Sequence, residues 1–455
     1  MKRRRFLKNT GLGAAGLAFS ACQQLNFADS ENEQKESPLS KPAVGFGKLE
    51  KTNLVIGIVP TISSTPLVIA KEKGFFARYG LKVNLSRQTA WGDIEKGLRG
   101  YRFDAIQATP SMPILAQLGR KYAPMVSLMM LNRNGSAITL DQKAWKGSIR
   151  PSIEYVNFSE FAIAFRKYLR GFGKQLKYAI DSPASMNGYN FRYWLATMGI
   201  EPDKEVDLVE FPPLQMIHKI QAGIINGYCV AAPWDQQSVL KKAGFTAYVS
   251  RDIWQGHPGN VLAAMIPWVE KHPTTARALV AAVLEACQFC DRSENRSVIA
   301  QILSQKNYLN TDLQLAQSSV AESYNYGGFD QKNRVVNLPD YNIFHDQETD
   351  YLKKPDHANY PWLSHGVWLL TQMIRWNQIK QREYPKNADK ILERIYPIEI
   401  YKDVAGALKI ELPSDRMKIE SAQNFIDQRK FDPSQPVMYL NQFDLRANRP
   451  QFLAL

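Results

Sequence analysis

The sequence predicts an α/β protein folded as two lobes, and three observations predict it. Short apolar strands alternate with helical patterns from residue 53 to residue 108, a βαβαβ rhythm. The same alternation resumes between residues 160 and 249, after a crossing segment of turn residues, Asn132-Arg133-Asn134-Gly135-Ser136. Finally, 455 residues, 45% hydrophobic and 11% aromatic, are enough to bury more than one core.

Residues 1–22 differ in kind from the rest. Lys2, Arg3, Arg4 and Arg5 precede an apolar run of small residues, 11–18, and then Phe19-Ser20-Ala21-Cys22. This is the layout of an export signal. The apolar run is too short to span a bilayer as a mature helix, and no later stretch offers about 18 uninterrupted apolar residues. Arg3-Arg4-Arg5-Phe6-Leu7-Lys8 resembles the twin-arginine signature of export in the folded state. Phe19-Ser20-Ala21-Cys22 resembles a lipobox, with Phe where Leu is usual, and makes Cys22 the expected lipidated N-terminus. Residues 23–48 are read as a flexible tether, because 28–44 (ADSENEQKESPLSKPAV) are polar, acidic and proline-containing.

The signal holds five basic and no acidic residues, leaving 52 Lys and Arg against 43 Asp and Glu, or +9. The basic residues are interspersed with acids and form no run with interleaved aromatics, so the sequence offers no nucleic-acid track. A field that mildly favours small anions is the consequence.

Taken in order, residues 53–60 (NLVIGIVP) form an apolar strand ending in turn chemistry, 66–79 an amphipathic helix, and 81–85 an alternating strand. A helix starts near Trp91, and 104–108 and 124–131 are again strands. Beyond the crossing, 160–171 is helical. Residues 206–213 are strand plus turn, 213–222 helix, 227–232 (GYCVAA) strand, and 246–249 a short strand. Gly256-His257-Pro258-Gly259-Asn260 is a turn cluster before a strand at 261–266, and 272–290 is a long helix. After about 290 the chain is mainly helical and loop-like, with 346–360 a polar surface excursion.

Residues 178–199, YAIDSPASMNGYNFRYWLATMG, read as strand, small-residue loop and helix in immediate succession. Phe191, Trp194, Leu195 and Met198 make one apolar helical face, and Gly199 with Pro202 supplies the stop. Residues 182–188 therefore sit at a helix N-terminus, where free N–H groups and the helix dipole can hold a small anion or polar solute. An ordinary βα loop that binds nothing remains the alternative.

Other chemistry is sparse. Cys287 and Cys290 form a lone CxxC inside an apolar helical run without a second ligand pair, which favours ordinary thiols over metal or redox work. Six histidines are scattered, His257 and His272 beside prolines, in turn or core positions. Nucleophile-elbow, zincin, P-loop and dinucleotide motifs do not occur.

The chain resembles the solute-binding lipoproteins of cyanobacterial nitrate, bicarbonate and cyanate ABC importers. The resemblance is carried by PLVIAKEKGFF (66–76), Ala90-Trp91-Gly92, Arg192-Tyr193-Trp194-Leu195-Ala196, Pro212-Pro213, Cys229-Val230 with Pro233-Trp234, Ile253-Trp254 with His257-Pro258, Tyr324-Asn325-Tyr326-Gly327, and Lys430-Phe431-Asp432-Pro433. It implies a type II periplasmic clamshell that closes on a solute between lobes. Residues 49–137 and 251–455 would form lobe 1, with a C-terminal helical extension, and 138–250 lobe 2, with hinges near Ser136 and at 231–234. It also implies no enzymatic activity and no cofactor. The implied partners are a small solute, an ABC permease and ATPase, and the membrane through the lipid, with the binding protein itself a monomer.

In nitrate binders of this family the pocket is built from Trp, Gln, His, Gly and Lys. Carrying these over gives Trp91, Ser136, Asn187, Ala231 and Asn260 as the ligand-binding positions, so only the Trp is kept. The His and Lys that would neutralise an anion are absent, and a charge-assisted hydrogen bond contributes about 1.5–3 kcal/mol against about 1 for a neutral one. Bicarbonate members use an acidic residue in place of the Lys, with calcium assisting, and Asn260 matches neither pattern. A neutral or weakly anionic polar solute fits these positions better than nitrate. A sensory protein that has lost nitrate binding and a binder of a small neutral organic solute are the alternative functions.

Overall fold

The computed structural model describes residues 44–118, 122–172, 176–346, 356–380 and 383–445. The export signal, Cys22 and the tether up to residue 43 lie outside the described residues.

Two five-stranded sheets carry the fold. The chain forms β1 (Asn53–Ile58), β2 (Lys82–Arg87), β3 (Ala105–Ala108) and β4 (Met125–Met130), then a two-residue β5 (Arg133–Asn134). It continues with β6 (Ser136–Asp141), β7 (Lys177–Ile180), β8 (Asp207–Glu210), β9 (Gly227–Ala231) and β10 (Gly244–Val249), and returns with β11 (Val261–Met265). The sheet orders are β2-β1-β3-β11-β4 and β10-β6-β9-β7-β8. β1 pairs in parallel with β2 and β3, as the βαβαβ rhythm requires, while β11 runs antiparallel between β3 and β4. The chain thus leaves the first sheet after β4, builds the second, and comes back to complete the first. These are the two lobes. β3, β4, β9, β10 and β11 are buried at every position, hence their nearly unbroken apolar sequences, whereas edge strand β2 is nowhere fully buried.

Three expectations are corrected. The single helix expected over 66–79 is two, Thr65–Glu72 and Phe75–Arg78, broken at Gly74, whose φ of 74° ends the first hydrogen-bond ladder. The helix expected over 213–222 begins as a 3-10 turn, Pro213–Gln215, before Met216–Gln221, since prolines supply no N–H to an earlier carbonyl. Residues 231–234 are not a crossing: β9 and the following helix Trp234–Leu240 belong to the second lobe, as does β10. The chain passes between the sheets at 131–135 and 250–260.

Beyond residue 290 the described chain is mainly helical, with a short antiparallel pair, Ser323–Asn325 and Val335–Asn337, and a two-residue strand, Asn342–Ile343, antiparallel to β5. The excursion expected at 346–360 is not wholly at the surface. Residues 347–355 lie outside the described set, but Ala358, Asn359 and Tyr360 are buried, and Asn359 Nδ2 donates to the carbonyls of Met130 (3.0 Å) and Phe344 (2.8 Å). Helix Leu363–Arg375 is buried along its length. Its Trp368 ring lies 4.4 Å from Trp254 in the returning crossing and 6.2 Å from both Tyr189 and Tyr193 of the second lobe. Cys287 and Cys290 are buried free thiols on helix Pro273–Asp291, and burial pushes both upward from the ordinary thiol range, so neither is a ready thiolate.

Because Trp368 joins the C-terminal helices to the crossing and the second lobe, Trp368→Ala should cost about 3–5 kcal/mol in urea unfolding. Val156→Ala, at a side chain 89% exposed, should change stability by less than about 0.5 kcal/mol in the same measurement.

Candidate functional site

The loop singled out by sequence connects β7 to helix Met186–Thr197. Ser185 is the N-cap, and its Oγ accepts from Gly188 N at 3.0 Å. Gly188 is needed because the loop folds back over the first helical turn: a Cβ there would meet Ser182 O at 2.5 Å and Pro183 O at 2.9 Å. The loop encloses a side chain of its own. Asp181, the first residue after β7, is buried, and its Oδ1 accepts from Ser185 Oγ at 2.5 Å.

Two residues read from sequence meet on that carboxylate. Asp181 Oδ2 accepts from Trp91 Nε1 and from Asn187 Nδ2, each at 2.9 Å. Trp91 opens helix Trp91–Arg99 of the first lobe, whereas Asp181 and Asn187 belong to the second, so the indole bond spans the lobes. Three more bonds cross nearby. Trp234 Nε1 donates to Pro60 O at 2.7 Å, Ile62 N donates to Ala232 O at 2.7 Å, and Ser111 Oγ donates to Ala184 O. The lobes are therefore shut along this seam.

The other three positions approach it from the sides. Ser136 and Ala231 are register partners in the β6–β9 pair, adjoining the Ala232 contact. Asn260 reaches the seam indirectly: its Oδ1 accepts from Gln107 Nε2 at 2.9 Å, and the same amide nitrogen donates to Thr61 Oγ1 at 3.0 Å, one residue before Ile62. All five residues are at most 9% exposed, so no solute reaches them unless the lobes part. Sequence reasoning passed over Asp181, Gln107 and Thr61. An acid directly before a loop read as an anion seat, and a glutamine within the apolar strand Ala105–Ala108, are the available signals.

Electrostatically the seam is acidic rather than basic. Desolvation pushes the Asp181 carboxyl upward, and the bonds from Ser185, Trp91 and Asn187 oppose it. Glu210, beside Ile180 on the neighbouring strand, is raised by burial and by the charge of Asp181. Among the described residues no ion pair reaches Asp181, and no group of three or more His, Cys, Asp or Glu could hold a metal ion. Behind the helix, buried His257 faces Pro258 O through Nδ1 at 2.9 Å and Asn190 through Nε2 at 3.3 Å. Burial and the nearby Arg133 charge hold its pKa down at about 4.

Two sheets exchanged in this order, with interlobe donors gathered at one edge, define the two-lobed periplasmic binding-protein fold. The crystal structure of the periplasmic nitrate-binding protein NrtA from Synechocystis matches it with a TM-score of 0.77 and 28% identity, covering 88% of this chain and all of that one. A zinc-bound ligand-binding component of an ABC-type import system from Staphylococcus aureus, 14% identical with a TM-score of 0.57, shares the fold. The chain belongs to the NMT1-like family, whose model matches residues 47–304. The nitrate/nitrite binding protein NrtA of Nostoc is 30% identical over 462 residues, 98% of this chain and 99% of that protein. The nitrate import ATP-binding protein NrtC of Synechocystis is 34% identical over 419 residues, and the chain spans only 57% of its length.

Trp91→Phe removes the indole donor and leaves Asp181 one bond short, so urea unfolding at neutral pH should show a loss of about 1–3 kcal/mol. The deficit should shrink as pH falls and Asp181 takes a proton. His257 supplies a second pH test. Its folded pKa lies below the unfolded value of 6.5, so the unfolded chain binds the proton first. Its contribution is intact above about pH 6.5 and should be lost as pH falls toward 4, up to about 3 kcal/mol. An imidazole NMR titration and urea midpoints across that range check both parts.

Proposed function

We propose that this chain is the solute-binding component of an ABC importer, taking a small inorganic anion or related small polar solute between its lobes and delivering it to a membrane permease. The observation that carries the reading is the convergence of polar groups from both lobes at one buried seam, with Trp91 on one side and Asp181 and Asn187 on the other. Such a seat exists only when the lobes close, which is how a two-lobed binder couples capture to a change of shape. Trp91, Ser136, Asn187, Ala231 and Asn260 are the proposed lining. The proposed lining offers an indole, two amides, a hydroxyl and a methyl group, and the one carboxylate beside them, Asp181, is engaged by donors from Trp91, Ser185 and Asn187, so the reading is of binding rather than catalysis.

The relatives support the setting. They include nitrate and nitrite binding proteins and, over part of their length, ATP-binding proteins of nitrate and bicarbonate transport. An export signal of twin-arginine type, lipid on Cys22 and a tether to residue 48 would hold the protein, as a monomer, on the periplasmic face of the membrane beside its permease and ATPase. No helix among the described residues is long and apolar enough to cross a membrane. The returning crossing and the 131–135 segment are the proposed hinges between lobe 1 (49–137 and 251–455) and lobe 2 (138–250).

A thermal-shift screen of nitrate, nitrite, bicarbonate, cyanate and small amides tests the reading. A true solute at about 100 times its Kd should add about 2.7 kcal/mol of stability. No shift with any small polar solute at millimolar concentration would contradict it.

A further inference from the structure

The seam contains an ionisable side chain that the family-derived positions did not include. Asp181 projects from the C-terminal end of β7 into the space between Trp91 and Asn187, and it takes the donors that a bound anion would need. Its third bond, from Ser185 Oγ, is also neutral. Among the described residues no lysine, arginine or histidine pairs with it, and Glu210 lies on the adjoining strand. An ionised carboxylate only accepts hydrogen bonds, and so do nitrate and nitrite. Placed at this seat, either anion would compete with Asp181 for Trp91 and Asn187 while lying beside its charge.

A solute with a donor of its own meets the opposite situation. A carboxylate offers about four lone-pair sites, and Asp181 has three side-chain donors bonded to it, two on Oδ2 and one on Oδ1, with its own backbone N–H beside them. When the lobes part, Trp91 moves with the first lobe and frees a site on Oδ2. That oxygen is the one that meets the first lobe, at the seam where the solute would arrive.

We propose that Asp181 is the specificity-determining residue of the seam, selecting a small solute that brings at least one O–H or N–H donor and rejecting anions that carry only acceptors. The proposal rests on the reading of the seam as the solute site and narrows its solute class. Bicarbonate, with one O–H, and urea, with four N–H, are the charged and neutral forms of that chemistry. Nitrate is the acceptor-only control.

The test is isothermal calorimetry of the full chain with bicarbonate, urea and nitrate, for wild type, Asp181→Asn and Asp181→Ser, each first shown by thermal melting to be folded. Asn keeps an acceptor for Trp91 and removes the charge, while Ser covers the case in which the Asn variant does not fold. The wild type should bind bicarbonate or urea at least tenfold more tightly than nitrate, and loss of the charge should raise nitrate affinity at least tenfold. Micromolar nitrate binding by the wild type, unchanged in both variants, would overturn the proposal, as would failure of all three probes to bind any of the proteins. Ala231→Leu separates this failure from that of the underlying reading. If crowding the seam abolishes binding while Asp181 variants keep the wild-type preference, only the role of Asp181 falls. If Ala231→Leu binds like wild type, the solute lies elsewhere and both readings fall.

Discussion

A buried carboxylate must be surrounded by donors, and in this protein one of those donors comes from the other lobe. Removing a carboxylate from water costs several kcal/mol even after relaxation, and hydrogen bonds are the means of recovering it when no cation is at hand. Asp181 obtains them from Ser185, Asn187 and, across the seam, Trp91. The loop geometry follows from this need: Ser185 caps the helix and bonds the carboxylate at once, and Gly188 lets the chain fold tightly over the first turn. A second negative charge at about 4 Å would meet roughly 1 kcal/mol of repulsion in a watery cleft and about 4 in a protein-like one. Closure, which excludes water, therefore raises the penalty on an anion that brings no donor to offset the repulsion.

The C-terminal half limits how far the lobes can part. Gln378, just beyond helix Leu363–Arg375, accepts from Tyr189 Oη at 2.5 Å and donates to Pro183 O at 2.6 Å, so it braces the loop that presents Asp181. Tyr193, which shares helix Met186–Thr197 with Tyr189, donates to Asp427 at 2.8 Å. On the other side, helices Ala388–Ile395 and Ile398–Ala407 pack on β4 of the first lobe. Asp235, buried at the start of helix Trp234–Leu240, accepts from Tyr324 and Tyr341, each at 2.7 Å. One continuous stretch of chain thus grips both lobes. A wide swing about 131–135 and 250–260 would strip these bonds.

Much of this is legible in the sequence. The strand positions follow from apolar runs, because β3, β4 and β9 are buried on both faces and tolerate little else. Trp91 and Asn187, carried over from the family, do share a partner. That partner was not legible, since nothing in the local pattern of YAIDSPASMN says whether Asp181 points to solvent or into the cleft. The antiparallel sense of β11 was equally hidden: periodicity reports which residues are buried, not which way a strand runs beside a partner about 150 residues away. Placing a hinge at 231–234 failed for a related reason. Pro233 and Trp234 look like crossing residues in sequence, but here they shape the β9 turn that meets Pro60 and Ile62 across the seam.

The account stands on the bond between Trp91 and Asp181, and the indole proton reports it directly. In a ¹⁵N–¹H spectrum of the solute-free protein, the Trp91 Nε1–H resonance, assigned through Trp91→Phe, should lie downfield, resist exchange with solvent, and move when Asp181→Asn removes the charge. A Trp91 indole proton that exchanges as freely as an exposed tryptophan and ignores Asp181→Asn would mean that the two lobes do not meet on this carboxylate, and the reading of the seam would be wrong.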